Sequence, residues 1–206
     1  MLTNMRLTKR EHIELTGMGH YLATVDAGQA QREFTRGIAD IESGNPAGIY
    51  RALSGIEKVK SAFQRMHNYN HTVGMIAAKQ FLEGEFPEIP WEEVEFAGGA
   101  NMPGADICVV RPPVRIVGEL KTTEPCAYAN RATAKRFGSE QRIQVEKDLQ
   151  KLSRPQYEGF NKYMFVTSGS AYFCLVQDYR HGFPAICFVL LSEASQVSRP
   201  LAAAES

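Results

Sequence analysis

Gly104-Ala105-Asp106-Ile107-Cys108-Val109-Val110-Arg111-Pro112-Pro113-Val114-Arg115-Ile116-Val117-Gly118-Glu119-Leu120-Lys121 is the stretch whose reading decides the fold. Two apolar, β-branched runs, residues 105–110 and 114–121, flank a Pro-Pro pair. Such runs read as strands, and consecutive prolines between them must form a turn. A reversal centred on Pro112-Pro113 opposes Val110 to Arg115, Cys108 to Val117 and Asp106 to Glu119. Directly opposed residues of an antiparallel pair hold their Cβ atoms within about 5 Å. Side chains alternate along a strand, so Glu119 and Lys121 share a face with Asp106, while Ile107, Val109, Ile116 and Leu120 point to the other face and into core. Two prolines do not suit the usual two-residue hairpin turn with positive φ, so a longer loop with the same centre is expected. A slip of one residue would destroy the pairing.

Downstream, Ser139 is expected to cap a helix with Glu140 in its first turn and an apolar stripe of Val145, Leu149 and Leu152; Pro155 closes it. Residues 162–167 and 185–191 read as buried strands, and residues 171–176 fit strand or helix equally. Upstream the chain changes character near residue 85. Before it the spacing is helical: residues 8–42 with a break near Asp26-Ala27-Gly28, then 47–66, then a helix from Thr72 as N-cap to Gly84. Residues 93–96 form a short, acidic strand candidate. Trp91 reads as a packing residue. The expected layout is a helical extension over 1–70, an α/β core over 71–192 and a loose tail over 193–206.

Formal net charge is zero, so no global basic field advertises a nucleic-acid partner, and any such binding must come from a local face. Cys108, Cys126, Cys174 and Cys187 make no CxxC pair and read as buried reduced thiols, which points to a reducing, cytoplasmic setting. Residues 1–10 carry charge without an apolar segment, so no signal peptide is expected. The apolar run 185–191 is too short to span a bilayer, and no membrane partner is expected. His67 and His71 are four apart, but without a third ligand or an HExxH pattern they read as surface or loop residues, and His181 as a turn residue. There is no Walker A loop, no GxGxxG after a strand and no GxSxG elbow.

The chemistry lies in the hairpin. Two carboxylates held face to face repel unless a cation sits between them. Carboxylate oxygens with room for water and phosphate suit Mg²⁺. A neighbouring lysine adds a positive charge able to orient or deprotonate water, or to stabilise a charged transition state. Asp106, Glu119 and Lys121 therefore form a candidate phosphodiester-hydrolysing set with Mg²⁺ as cofactor. The spacing alone is common; the register across the hairpin and the apolar flanks distinguish this instance. Residues 131–154 are rich in arginine and lysine and read either as a solvated helix face or as a phosphate-contacting surface, with Thr122 and Thr123 as further phosphate donors.

Gly104-Ala105-Asp106, a hairpin and then Glu119-Leu120-Lys121 resembles the PD-(D/E)xK nuclease superfamily, the restriction-endonuclease-like fold. The resemblance implies an αβββαβ core with a mixed central sheet, here over residues 72–167, about half the chain. It departs from the pattern in having Ala105 directly before the aspartate, with Pro103 three residues ahead of it. It implies that Asp106, Glu119 and the Leu120 carbonyl bind Mg²⁺ and that Lys121 assists the water. It implies a further acid from the first core helix, Glu83 or, second, Glu85. Gln141, Gln144 and Lys147 match a helical position that some members use, and Arg136, Gln141, Arg142 and Lys147 are the candidate DNA contacts. The function so implied is a sequence-specific type II restriction endonuclease acting on double-stranded DNA as a homodimer. The alternatives are a structure-specific repair or recombination nuclease and a DNA-binding module on the same fold that does not cut.

Overall fold

The computed structural model describes residues 27–91, 94, 104–125, 136–191 and 197–198. The chain divides into two compact units, Met1–Asn70 and His71–Ser206.

In the first unit, α1 (Ala27–Glu42) turns through Ser43–Pro46 into the start of α2 (Ala47–Glu85). Gly44, at φ +79°, takes the left-handed conformation the turn needs, and Asn45 Oδ1 accepts the Ala47 N–H at 3.1 Å to cap the new helix. The two helices cross backbone to backbone: a Cβ on Gly37 would lie 2.5 Å from the Ala52 nitrogen. Arg51 pairs with Asp40 across the turn. One expectation changes here. Instead of separate helices over 47–66 and from Thr72, a single helix of 39 residues runs through. The intervening Met66-His67-Asn68-Tyr69-Asn70-His71 contains no Gly or Pro, and its poor helix formers cost only about 0.5 kcal/mol each. Gln64 Nε2 donates to Asn68 Oδ1 at 3.4 Å one turn on. The helix ends at Glu85, where Pro87 prevents its continuation.

The second unit is α/β with a mixed sheet. Its described strands are β1 (Ile107–Arg111), β2 (Val114–Lys121), β3 (Asn161–Val166), β4 (Ile186–Leu190) and the short β5 (Val197–Ser198), side by side in that order. The β1–β2 and β4–β5 pairs are antiparallel; β2–β3 and β3–β4 are parallel. Helix α3 (Ser139–Leu152) makes the β2-to-β3 crossover and α4 (Gly169–Tyr179) the β3-to-β4 crossover. Alternate residues of the buried strands feed two cores. Val117, Met164, Val166, Phe188 and Leu190 meet α3 through Val145, Leu149 and Leu152, and α4 through Ala171, Tyr172 and Leu175. Ile107, Val109, Ile116, Leu120, Tyr163 and Phe165 meet Met75, Ala78 and Leu82 of α2. Each fully buried Phe or Leu contributes about 1.5–3 kcal/mol.

Cys108 pairs with Val117 and Val110 with Arg115, the expected register, but the connection is not the longer loop expected. Arg111 still pairs with Val114, so Pro112-Pro113 alone makes the turn, with a cis peptide bond between them instead of positive φ. Residues 171–176 are helical: Ser168 Oγ accepts the Ala171 N–H at 3.3 Å as an N-cap, and Ala171, Tyr172, Leu175 and Tyr179 are buried at helical spacing. The cap of α3 is Gly138, with Ser139 the first helical residue. Within the tail expected to be loose, Val197 and Ser198 pair with Val189 and Phe188. The strand expected over residues 93–96 lies outside the described residues apart from Val94, which is not in a strand. The cysteines depart from expectation too: only Cys187 is buried, Cys108 is exposed, Cys174 is half-buried on α4, and Cys126 lies outside the described residues. Trp91 is buried, with its indole N–H donating to the Phe86 carbonyl at 2.9 Å. Among the described residues no helix is long and apolar enough to cross a membrane.

Candidate active site

The site forms where β1 begins and β2 ends. Asp106 stands one residue before β1, and the hairpin register continued by one step opposes it to Glu119. Asp106 Oδ2 accepts the Leu120 N–H at 2.8 Å, which anchors the carboxylate to β2. Its other oxygen, Oδ1, lies 3.8 Å from Nε2 of His71 on α2, an ion pair whenever that imidazole is protonated. Burial opposes the charge on Asp106, but His71, the Leu120 N–H and Lys151 outweigh it and hold the carboxyl below its ordinary range.

Glu119 faces the opposite conditions. It is 3% exposed, and its Oε1 has no hydrogen-bond partner among the described residues. Lys151 Nζ of α3 forms an ion pair with that oxygen at 2.9 Å. Burial, then the charge of Asp106, push the Glu119 carboxyl up to about 8, with Asp148 adding to the rise and Lys151 opposing it. Lys151 in turn is held above its ordinary range: burial works against its charge, but Glu119, Asp148 and Asp106 together prevail. Lys121, at the end of β2, docks on Asp148 of α3, Nζ to Oδ2 at 2.6 Å. Lys151 Nζ also donates to the Gly104 carbonyl at 3.0 Å and lies 3.9 Å from Asp148 Oδ1. Two carboxylates from the hairpin and one from the helix thus interleave with two ammonium groups.

The residues expected from sequence divide accordingly. Asp106 and Glu119 come together, with Leu120 bound through its N–H to Asp106, and Lys121 is linked to them through Asp148 and Lys151. Glu83 does not join them. It lies twelve residues beyond His71 on the same helix, about 18 Å at the rise of an α-helix. Glu85 is further still. Thr122 and Thr123 are half-buried in the coil that leaves β2. Gln141 is not free for a ligand: its Nε2 donates to the Glu124 carbonyl at 2.8 Å and its Oε1 accepts the Gly138 N–H at 3.0 Å. Arg142 lies on the side of α3 away from Lys151, interacting with Tyr179 of α4. Lys147 and Gln144 are exposed and stand on the Lys151 side of the helix, four and seven residues before it. Arg136 is exposed just ahead of α3.

Asp148, Lys151 and His71 were missed by the sequence reading. A signal existed for the first two: once Val145, Leu149 and Leu152 define the buried stripe, Asp148 and Lys151 must flank it on one side. No comparable signal marked His71, because the unbroken helix that carries it was not foreseen. Among the described residues, no group of three or more His, Cys, Asp or Glu side chains is arranged to hold a metal ion. What fits a cation is narrower: the buried Glu119 Oε1 without a hydrogen-bond partner, raised in pKa partly by the charge of Asp106. Compared with protein-family models, curated proteins and solved structures, the chain matches none of them.

Proposed function

We propose that the His71–Ser206 unit is a magnesium-dependent nuclease that hydrolyses DNA phosphodiester bonds, built on a restriction-endonuclease-like core. The observation that carries this reading is the buried Glu119 carboxyl, opposed in register to Asp106 and raised in pKa by burial and by that charge even with the Lys151 ammonium 2.9 Å away. Two carboxylates buried together are costly unless cations compensate, and Lys151 offsets only part of that cost, since Glu119 stays raised in pKa beside it. Asp106, Glu119 and the Leu120 carbonyl would hold Mg²⁺, with water and phosphate oxygens completing its shell. Bound there, the ion supplies Lewis-acid polarisation of the phosphate and lowers the pKa of water.

The chain's own groups supply the rest. Asp106 is fixed by the Leu120 N–H, so its other oxygen, on the His71 side, keeps one direction. Lys121 is aimed by Asp148 and presents a fixed positive charge where negative charge develops on the phosphate. Lys147 and Arg136 lie on exposed surface suited to the phosphate backbone. Within this reading we favour a type II restriction endonuclease acting on double-stranded DNA as a homodimer.

The test is direct. Purified protein is incubated with plasmid and genomic DNA, with and without Mg²⁺. Cleavage only with Mg²⁺, reduced at least about 100-fold by Asp106→Ala and by Lys121→Ala in folded variants, is the expected result. Discrete fragments mark a sequence-specific enzyme, cleavage of branched or single-stranded DNA alone marks a structure-specific one, and a mobility shift without cleavage marks a binding module. Cleavage by either variant at the wild-type rate would overturn the site.

A further inference from the structure

Lys151 lies outside the catalytic set, yet its ammonium group is in contact with more of the site's oxygens than Lys121 is. Nζ lies 2.9 Å from Glu119 Oε1, 3.0 Å from the Gly104 carbonyl oxygen and 3.9 Å from Asp148 Oδ1. These oxygens come from β2, from the segment leading into β1 and from α3. Convergence of oxygens from separate elements on one point is what a hard cation requires. The Glu119 oxygen that Lys151 approaches is the buried one with no hydrogen-bond partner.

We propose that Lys151 is a resident cation of this site, occupying the Glu119 oxygen when no metal is bound, and that a divalent ion binds by displacing it. The inference rests on the nuclease reading above, since it concerns how the same carboxylates receive their metal. An ammonium group sits about 2.9 Å from a carboxylate oxygen, and Mg²⁺ about 2.1 Å. Both cannot hold one oxygen in a buried setting without close repulsion between them. The lysine can leave. Its side chain is 23% exposed at the rim, and a flexible four-carbon stem lets the head turn to water while α3 stays in place. Asp148 does not lose its partner, because Lys121 remains on it at 2.6 Å. The charge balance favours exchange: once a divalent ion binds and Glu119 is ionised, the three carboxylates carry one negative charge more than Lys121 and Lys151 offset, and replacing one ammonium by the ion removes the difference.

The experiment measures metal binding without DNA. Mn²⁺ serves as the probe, with free ion followed by electron paramagnetic resonance, on full-length wild type, Lys151→Met, Arg154→Met and Glu119→Gln. Arg154→Met removes a positive charge from just beyond the same helix and controls for general electrostatics. Expected are Mn²⁺ binding at least about tenfold tighter in Lys151→Met than in wild type and a change below about threefold in Arg154→Met. The thermal midpoint of Lys151→Met is expected below that of wild type in chelator, and the gap closes at saturating Mn²⁺. If Lys151→Met does not fold, Lys151→Gln replaces it in the same comparison. Binding that Glu119→Gln abolishes but that neutralising Lys151 leaves unchanged or weaker overturns the displacement and leaves the nuclease reading standing. No Mn²⁺ binding by any of these proteins overturns both.

Discussion

At the residue scale the two hairpin acids have opposite fates. Asp106 is held ionised by its neighbours, whereas Glu119 is pushed up to about 8, burial being the larger cause. The second shift makes metal-free stability depend on pH. Below its ordinary value of 4.5 the Glu119 carboxyl is protonated both folded and unfolded. Between 4.5 and about 8 unfolding releases its proton, so stability declines as pH rises, and above about 8 the loss is complete. Thermal midpoints of wild type in chelator are expected to fall across that window, and Glu119→Gln is expected to flatten the fall; an equally steep fall in the variant would refute the assignment. Asp148 makes a separate claim. If it acts by aiming Lys121, Asp148→Asn lowers the cleavage rate about 10- to 100-fold, as loss of an orienting partner does elsewhere. Asp148→Glu should then recover part of the rate with KM unchanged, and a variant indistinguishable from Asp148→Asn would count against positioning.

At the element scale, the packing of α2 on β2 sets how firmly the site is held. A Cβ on Gly74 would lie 2.8 Å from one Leu120 methyl carbon and 3.2 Å from a Thr167 methyl carbon. Leu120 donates the N–H that fixes Asp106, so crowding it disturbs the carboxylate as well as the core. Gly74→Val is expected to cost about 1–3 kcal/mol in denaturant unfolding and to weaken cleavage with it. The β1–β2 register was legible in the sequence because Pro112-Pro113 admits one centre and alternation does the rest. The buried strands β3 and β4 were legible as continuous apolar runs. Helix α4 was not, since apolar residues 171–176 satisfy either period until the Ser168 cap is seen. Of the site, Asp106, Glu119 and Lys121 could be read because they lie on one hairpin. Asp148, Lys151 and His71 approach from other elements, and only the packing of those elements on the sheet brings them in.

At the scale of the whole molecule, zero net charge means that duplex binding must draw on a local basic face. Of the four candidate DNA-contacting residues on or beside α3, Gln141 is engaged with backbone and Arg142 faces α4, leaving Arg136 and Lys147. With two groups in each copy of the homodimer, the logarithm of the binding constant is therefore expected to fall with the logarithm of salt concentration with a slope on the order of −4, and Lys147→Glu to reduce it by about two units. A slope several times steeper, measured by fluorescence anisotropy, would require a basic surface other than this one. Gln141 has a further consequence. Its amide ties the chain leaving the sheet at Glu124 to the chain entering the helix at Gly138. Insertion or deletion between those points would leave Asp148 and Lys151 aligned, since the tether and not the connection sets where the helix begins. That stretch can therefore change in length without retuning the geometry of the site.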